Sequence, residues 1–276
     1  MKIIYLLFLS LLFSCNEPTE LTVSTFNIKW LGDGVGDNVE RSDKDYRNLE
    51  SIVKSLNTDI LALQEIENRL ALAKILDTNQ YAVYTSSYPD EQKTALAIDK
   101  KIDVLEIYQI DEIALGNRDL RPGLVAYCNY NGYDFFIGSF HFKATSRHDD
   151  TPVKRTRSFD MRQDQSKHLV AAINELMEER NDTDVILMGD FNDSPVKENS
   201  NISAIDTDEL DFMTGEMNSC KFPRLKSIDH IVVSQSVKKI VNKSSINMLD
   251  LSRTLRGDEL RAASDHCPVT MSLNIK

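Results

Sequence analysis

The feature that most limits how this chain can fold is a series of short apolar runs, rich in β-branched and aromatic residues, that stop beside polar side chains capable of chemistry. Residues 21–26 lead into Asn27, residues 59–63 end at Gln64-Glu65, residues 135–142 contain His141, and residues 185–188 pass through Gly189 to Asp190 and Asn192. Residues 228–233 carry Asp229 near their start, and residues 269–273 follow Asp265 and His266. Similar runs occupy residues 81–85, 95–98 and 124–130. Apolar runs of this length are strands rather than helices. Helical spacing occurs at Tyr46, Leu49, Ile52, Val53 and Leu56, and again over residues 159–180, where Leu169, Ile173, Leu176 and Met177 share a face. Strands outnumber helices, which predicts a mixed α/β domain whose polar residues gather on one rigid sheet edge.

At 276 residues, 41% of them hydrophobic, the chain can bury a substantial core, and no repeat or low-complexity tract divides it. The N-terminus stands apart. Met1-Lys2 precedes an apolar stretch over residues 3–13 that ends in Ser14-Cys15, followed by polar residues. A spanning helix needs about 20 residues, so this run has the shape of a signal peptide instead. The small residue before Cys15 resembles the bacterial lipobox. That resemblance implies a signal peptide at 1–14, an acylated Cys15, a short tether at 15–20 and a domain over 21–276, exported and lipid-anchored in the cell envelope. Ordinary secretory cleavage is the simpler alternative. The formal net charge of −11 makes the protein a poor general binder of nucleic acid, so attraction to phosphate must come from local basic loops or bound cations. Beyond Cys15, the cysteines Cys128, Cys220 and Cys267 cannot all pair within one chain; they leave room for one bridge and imply no disulfide framework.

Asp190 and Asn192 lie two apart, so in an extended chain both side chains face the same way. An aspartate can hold or deprotonate water while an amide donates to a phosphate oxygen, although Gly-Asp-Phe-Asn equally suits a plain turn. Asp265 and His266 are adjacent and point to opposite faces of a strand, which makes Asp229 the better partner to orient His266. Glu65 closes a buried run, where a hard cation such as magnesium would relieve an unpaired carboxylate; a salt bridge would do the same. His141, between Phe140 and Phe142, suits either a general acid or a core histidine, and His148, His168 and His230 read as structural. Basic residues cluster beside three of these motifs. Lys143 and Arg162 follow His141, Lys221, Arg224 and Lys226 precede Asp229, and Arg253, Arg256 and Arg261 precede Asp265. This placement favours a polyanionic substrate.

Taken together, Thr25-Phe26-Asn27-Ile28, residues 59–65, Phe140-His141, residues 184–192, Asp229 with Ile231-Val232-Val233, and Ser264-Asp265-His266 resemble the endonuclease/exonuclease/phosphatase superfamily, in its deoxyribonuclease I-like branch. The resemblance implies a two-layer β-sandwich flanked by helices, an α/β (α+β) fold with motif-bearing loops at one edge. It also implies in-line attack of water on phosphorus. Glu65 would hold a divalent metal (magnesium, manganese or calcium), with Asn27 close by and Asp265 placing metal or water. Asp190 would activate the water, and Asn192, His266, Lys143 and Arg162 would hold the phosphate. His266 would be oriented by Asp229, and His141 would protonate the leaving oxygen. The chain departs from abasic-site endonucleases in having Lys29 where an acidic residue is usual and His141 where tyrosine is usual. The expected carboxylate partner of His141 aligns with Glu91 or Gln92.

The reading is therefore an exported, monomeric, metal-dependent phosphodiesterase acting on a phosphate ester, with DNA or RNA as the first candidate substrate. A phosphatase or phosphodiesterase for phospholipid headgroups, inositol phosphates or nucleotides is the alternative, because fold does not settle substrate. A catalytically dead binding module would not need the complete set of acid, base and metal-holding residues.

Overall fold

Alternating burial along the apolar runs resolves into two six-stranded sheets packed face to face. The computed structural model describes residues 19–89, 92–146 and 148–275; the expected signal peptide, Cys15, most of the tether, Glu91 and Arg147 lie outside the described residues. In chain order the elements are β1 (Thr19–Leu31), α1 (Asp43–Leu56), β2 (Ile60–Ile66), α2 (Arg69–Ala73), β3 (Tyr81–Thr85), β4 (Lys93–Asp99), β5 (Asp103–Ile110), β6 (Gly123–Tyr130) and β7 (Tyr133–His141). They continue with α3 (Pro152–Arg180), β8 (Val185–Asp190), β9 (Leu210–Phe212), β10 (Asp229–Ser234), α4 (Gln235–Lys238), β11 (Val241–Met248), α5 (Gly257–Ala263) and β12 (Val269–Ile275). The first sheet runs β11-β12-β1-β2-β4-β3 and the second β5-β6-β7-β8-β10-β9.

Each sheet has one parallel pair at its centre and antiparallel neighbours on both sides. β1 and β2 are parallel and joined through α1; β7 and β8 are parallel and joined through α3. Crossover helices cover the outer faces, so these central strands are buried on both sides. Leu21, Val23, Ile60 and Ala62 meet Phe135, Ile137, Ile186 and Met188 between the sheets, whereas Leu61 and Leu63 face α1 and Leu187 faces α3. α1 opens with a capping box between Ser42 and Asp45 and buries the same apolar residues that its spacing predicts.

The fold is the expected two-layer sandwich flanked by helices. Three of its four edge strands, β5, β9 and β11, have no counterpart in the sequence reading. An edge strand buries little, and β5 and β11 alternate poorly because most of their residues are half-buried or exposed. α3 begins at Pro152, earlier than its apolar spacing suggests. Its first turns are exposed and carry no apolar stripe, and the start is marked instead by Thr151, whose side chain accepts from Lys154 N–H, and by the proline. Cys220 and Cys267 form a disulfide, and Cys128 is buried as a free thiol. No helix among the described residues is long and apolar enough to cross a membrane.

Candidate active site

The carboxyl ends of the two parallel pairs meet at one edge of the sandwich, where ligands bind in open sheets of this kind. On the first sheet, Asn27 and Glu65 stand where the β1–β2 register shifts. Lys29, Trp30 and Glu65 adopt left-handed φ values of 47°, 54° and 62°. Such conformations in non-glycine residues cost on the order of 1–3 kcal/mol each and persist only where surroundings enforce them. Arg41 supplies that enforcement. Its guanidinium donates to the carbonyls of Ile28 (2.9 Å), Lys29 (2.8 Å), Trp30 (2.8 Å) and Ala262 (2.7 Å). The bulge it clamps turns Trp30 N–H onto Glu65 Oε2 at 3.1 Å, while Asn27 Nδ2 donates to Glu65 Oε1 and to Asp190 Oδ2, both at 3.1 Å.

On the second sheet, His141 ends β7 and pairs in register with Asp190 at the end of β8, which in turn faces Asp229 at the start of β10. Gly189 is required here. Its φ is +152°, and a Cβ would lie 2.0 Å from the Phe140 carbonyl oxygen. Asn192, also left-handed, donates its N–H to Asp190 Oδ1 (2.9 Å) and its Nδ2 to the Phe142 carbonyl (3.0 Å). His266 precedes β12 on the first sheet and reaches across, with Nδ1 2.9 and 3.0 Å from the two Asp229 oxygens and Nε2 3.7 Å from Asp190 Oδ2. Ser264 Oγ accepts from His266 N–H and donates to the Asn27 carbonyl, tying the approach to β12 to β1. His141 Nε2 lies 3.6 Å from Asp190 Oδ2 and 3.8 Å from Glu65 Oε1.

Asp190, 1% exposed, thus lies between two imidazoles that hold their protons differently. Burial works against charge on His266, but Asp229 and Asp190 outweigh it and push its pKa up to about 10. Burial, reinforced by Arg121 and His266, holds His141 well below the ordinary histidine range, so it is neutral, and its Nδ1 has no partner among the described residues. Burial likewise pushes Asp190 up to about 7, opposed by charged His266 and by the Asn192 N–H. A carboxylate poised near neutrality suits a general base.

Asp190, Asp229 and His266 offer ligand atoms within 4.8 Å of one another. In that set, however, both Asp229 oxygens are already taken up by His266 Nδ1 at 2.9 and 3.0 Å. Glu65 is the better fit to a hard divalent cation. Its oxygens accept from amide donors, and the only basic side chain within ion-pair distance of it among the described residues, His141, is neutral. Asn27 turns its NH2 towards the carboxylates and its oxygen to Lys29 N–H. Asp265 is exposed, 3.9 Å from Lys221 Nζ. Arg162, 2% exposed, donates to the Lys143 carbonyl and Thr145 Oγ1 and so supports the loop after β7. Lys143 lines a cleft of 560 Å³ together with Arg121, His148, Lys154 and Arg157. His168 is exposed on α3, whereas His230 is buried between Thr214 Oγ1 and the Asp193 carbonyl, its pKa pushed down to about 4 by burial.

Sequence reasoning missed Arg41, Arg121 and Ser139. Ser139 accepts from Gln64 Nε2 across the sheets, directly behind the site. Arg41 and Arg121 look like ordinary solvated charges, and no spacing marks them. Ser264 belongs to the Ser264-Asp265-His266 motif, but its residue type alone does not reveal the bonds it makes to Asn27 and His266.

Comparison with known proteins agrees with this architecture. The model of the Endonuclease/Exonuclease/phosphatase family matches residues 24–266. No curated protein sequence matches the chain. Among solved structures, truncated TDP2 from Caenorhabditis elegans superposes with a TM-score of 0.67 at 19% identity, over 92% of this chain and 97% of its own. The human Nocturnin catalytic domain with bound sulfate gives 0.63 at 16% identity, over 93% and 95%. An endonuclease/exonuclease/phosphatase family protein from Bacteroides thetaiotaomicron gives 0.62 at 17% identity, over 94% and 99%. Enzymes of this family depend on divalent metals. The chain belongs to the endonuclease/exonuclease/phosphatase family and is a phosphoric ester hydrolase.

Proposed function

We propose that this hydrolase is a divalent-metal phosphodiesterase acting on nucleic acid, exported and anchored to the cell envelope through an acylated Cys15. The observation that carries the catalytic part is the buried Asp190 between a charged and a neutral imidazole, beside a Glu65 carboxylate held by amides. Glu65 would hold the divalent metal, which would supply positive charge to a phosphoryl oxygen. Asp190 receives the proton of a water whose oxygen bonds to phosphorus as the bond to the leaving oxygen breaks. His266, fixed by Asp229, donates from Nε2 to a phosphoryl oxygen, and the Asn192 side chain helps hold the phosphate. His141, being neutral, can give the leaving oxygen a hydrogen bond from Nε2 but not a proton, so that oxygen takes its proton from solvent rather than, as the resemblance implies, from His141; Asp265, exposed at the rim, would help place metal or water from outside.

Nucleic acid is favoured by the cleft beyond the end of β7, where Arg121, Lys143, Lys154 and Arg157 outnumber Asp119 and Asp149 and give an acidic protein a local attraction for a polyanion, and by the likeness to D. rerio TDP2, solved in complex with a single-strand DNA product. Purified mature protein assayed with magnesium, manganese or EDTA tests this reading against DNA, RNA, sphingomyelin and inositol phosphates. Metal-dependent cleavage of DNA or RNA with the highest kcat/KM is expected. Full activity in excess EDTA would remove the metal, and faster turnover of a lipid or inositol phosphate would replace the substrate. Cys15→Ser is expected to release the protein from membranes; retention after a high-salt wash would place any anchor elsewhere.

A further inference from the structure

Asp229 and His266 belong to different sheets. Asp229 opens β10 of the second sheet, and His266 precedes β12 of the first. Their contact of 2.9–3.0 Å therefore depends on two layers holding a fixed separation at their open edge. Packing between sheets determines that separation deep in the core; at the edge it is set by the Asn27–Asp190 hydrogen bond between the sheets and by the connecting loops. One bond does this covalently. Cys267 follows His266 directly, and its disulfide partner Cys220 lies in the turn that leads into Asp229.

That turn is itself closed. Asn218 and Lys226 form an isolated antiparallel bridge, Ser219 N–H donates to the Leu225 carbonyl, and Ser227 N–H donates to the Met217 carbonyl. Ser227 Oγ then accepts from Asp229 N–H at 3.2 Å. From Cys220 to Asp229 the chain is thus a hydrogen-bonded unit rather than a slack loop, and it transmits the position of the cysteine to the carboxylate. On the other side of the bond, Cys267 is 5% exposed and packs with Leu251, Leu255 and Ala263. Cys220 packs against the edge of the same cluster, and clefts of 280 and 260 Å³ flank the pair, each lined by Cys220, Cys267 and His266.

We infer that the Cys220–Cys267 disulfide is a positioning element for catalysis: it fixes Asp229 against His266 across the two sheets, and the hydrolase needs it oxidised for full turnover. This rests on the reading that His266 acts on the phosphoryl group. Displacing a reacting group by about 1 Å can cost as much as a hundredfold in rate, so a loosened pair is expected to lower kcat rather than weaken substrate binding.

The test compares wild type, Cys220→Ser/Cys267→Ser and His266→Ala, each assayed well below its own unfolding temperature. Cys220→Ala/Cys267→Val serves as a second pair that preserves apolar packing should the serine variant fail to fold. Wild type is also treated with dithiothreitol, which reduces the bond to two thiols and is oxidised to its cyclic disulfide, and is then reoxidised. The expected result is a kcat lower by about tenfold or more with KM changed less than about threefold. Reoxidation should restore the wild type, and dithiothreitol should have no further effect on the double variant. The downfield NMR proton signal of His266 Nδ1–H should shift or broaden in parallel, which a purely stabilising crosslink would not cause. Unchanged kcat and an unchanged Nδ1–H signal in the folded double variant, with His266→Ala inactive, would overturn the inference and leave the site reading intact. An active His266→Ala would overturn both.

Discussion

The two parallel pairs, β1–β2 and β7–β8, share a topology and deliver their carboxyl ends to the same edge, yet they end differently. The β1–β2 end is a clamped bulge, with left-handed Lys29, Trp30 and Glu65, the Arg41 guanidinium on its carbonyls, and a carboxylate served by amide donors. The β7–β8 end holds the titrating groups, with Asp190 and His141 side by side and His266 reaching over from the other layer. The difference indicates a division of labour. On the proposed function, the first end would hold the cation and the second, where Asp190 and His141 are buried, would handle protons.

The largest expected effect breaks the proton-handling end. Asp190→Asn and His266→Ala should each lower kcat by at least about a hundredfold, whereas exposed His168→Ala should stay within about twofold of wild type. Steady-state cleavage by variants with wild-type thermal unfolding decides it. Near-normal turnover of folded Asp190→Asn would move the base elsewhere, and a collapse in His168→Ala would move the site.

A smaller effect is expected at the cation-holding end. Arg41→Lys keeps the charge but cannot reach four carbonyls, so the bulge should relax. The metal concentration for half-maximal activity is predicted to rise by about tenfold, with kcat largely recovered at saturating metal. An unchanged metal requirement would show that the bulge is held without the clamp.

The smallest effect concerns His230, one residue from Asp229 but outside both ends. Its folded pKa of about 4 lies below the ordinary value of 6.5, so neutral His230 contributes stability that is present above pH 6.5 and lost as pH falls towards 4. The loss is on the order of 3 kcal/mol, read by denaturant unfolding between those pH values. His230→Gln should flatten that slope; an unaltered slope would assign the acid sensitivity to other groups.

The proton-handling end was the more legible in sequence, because a strand that runs Val185-Ile-Leu-Met-Gly-Asp190 announces both its burial and its polar stop. His266 does pair with Asp229 as expected, but not by strand alternation: Asp265 and His266 lie in a bend before β12, where Asp265 is exposed and His266 turns inward. The cation-holding end was only half legible. Glu65 showed as a carboxylate closing an apolar run, but left-handed backbone at Lys29 and Trp30 leaves no trace in residue type, and Arg41 lies in a polar stretch before α1. Likewise three cysteines could not name their pairing; burial of Cys128 within the core between the sheets is what leaves Cys220 and Cys267 together.

The division of labour is tested most directly by calorimetric titration of manganese into wild type, Glu65→Gln and His266→Ala without substrate. If the β1–β2 end holds the cation, Glu65→Gln loses affinity by at least about tenfold while His266→Ala binds as tightly as wild type or tighter. Undiminished binding in folded Glu65→Gln, or its loss in His266→Ala, would place the metal among Asp190, Asp229 and His266 and contradict the account.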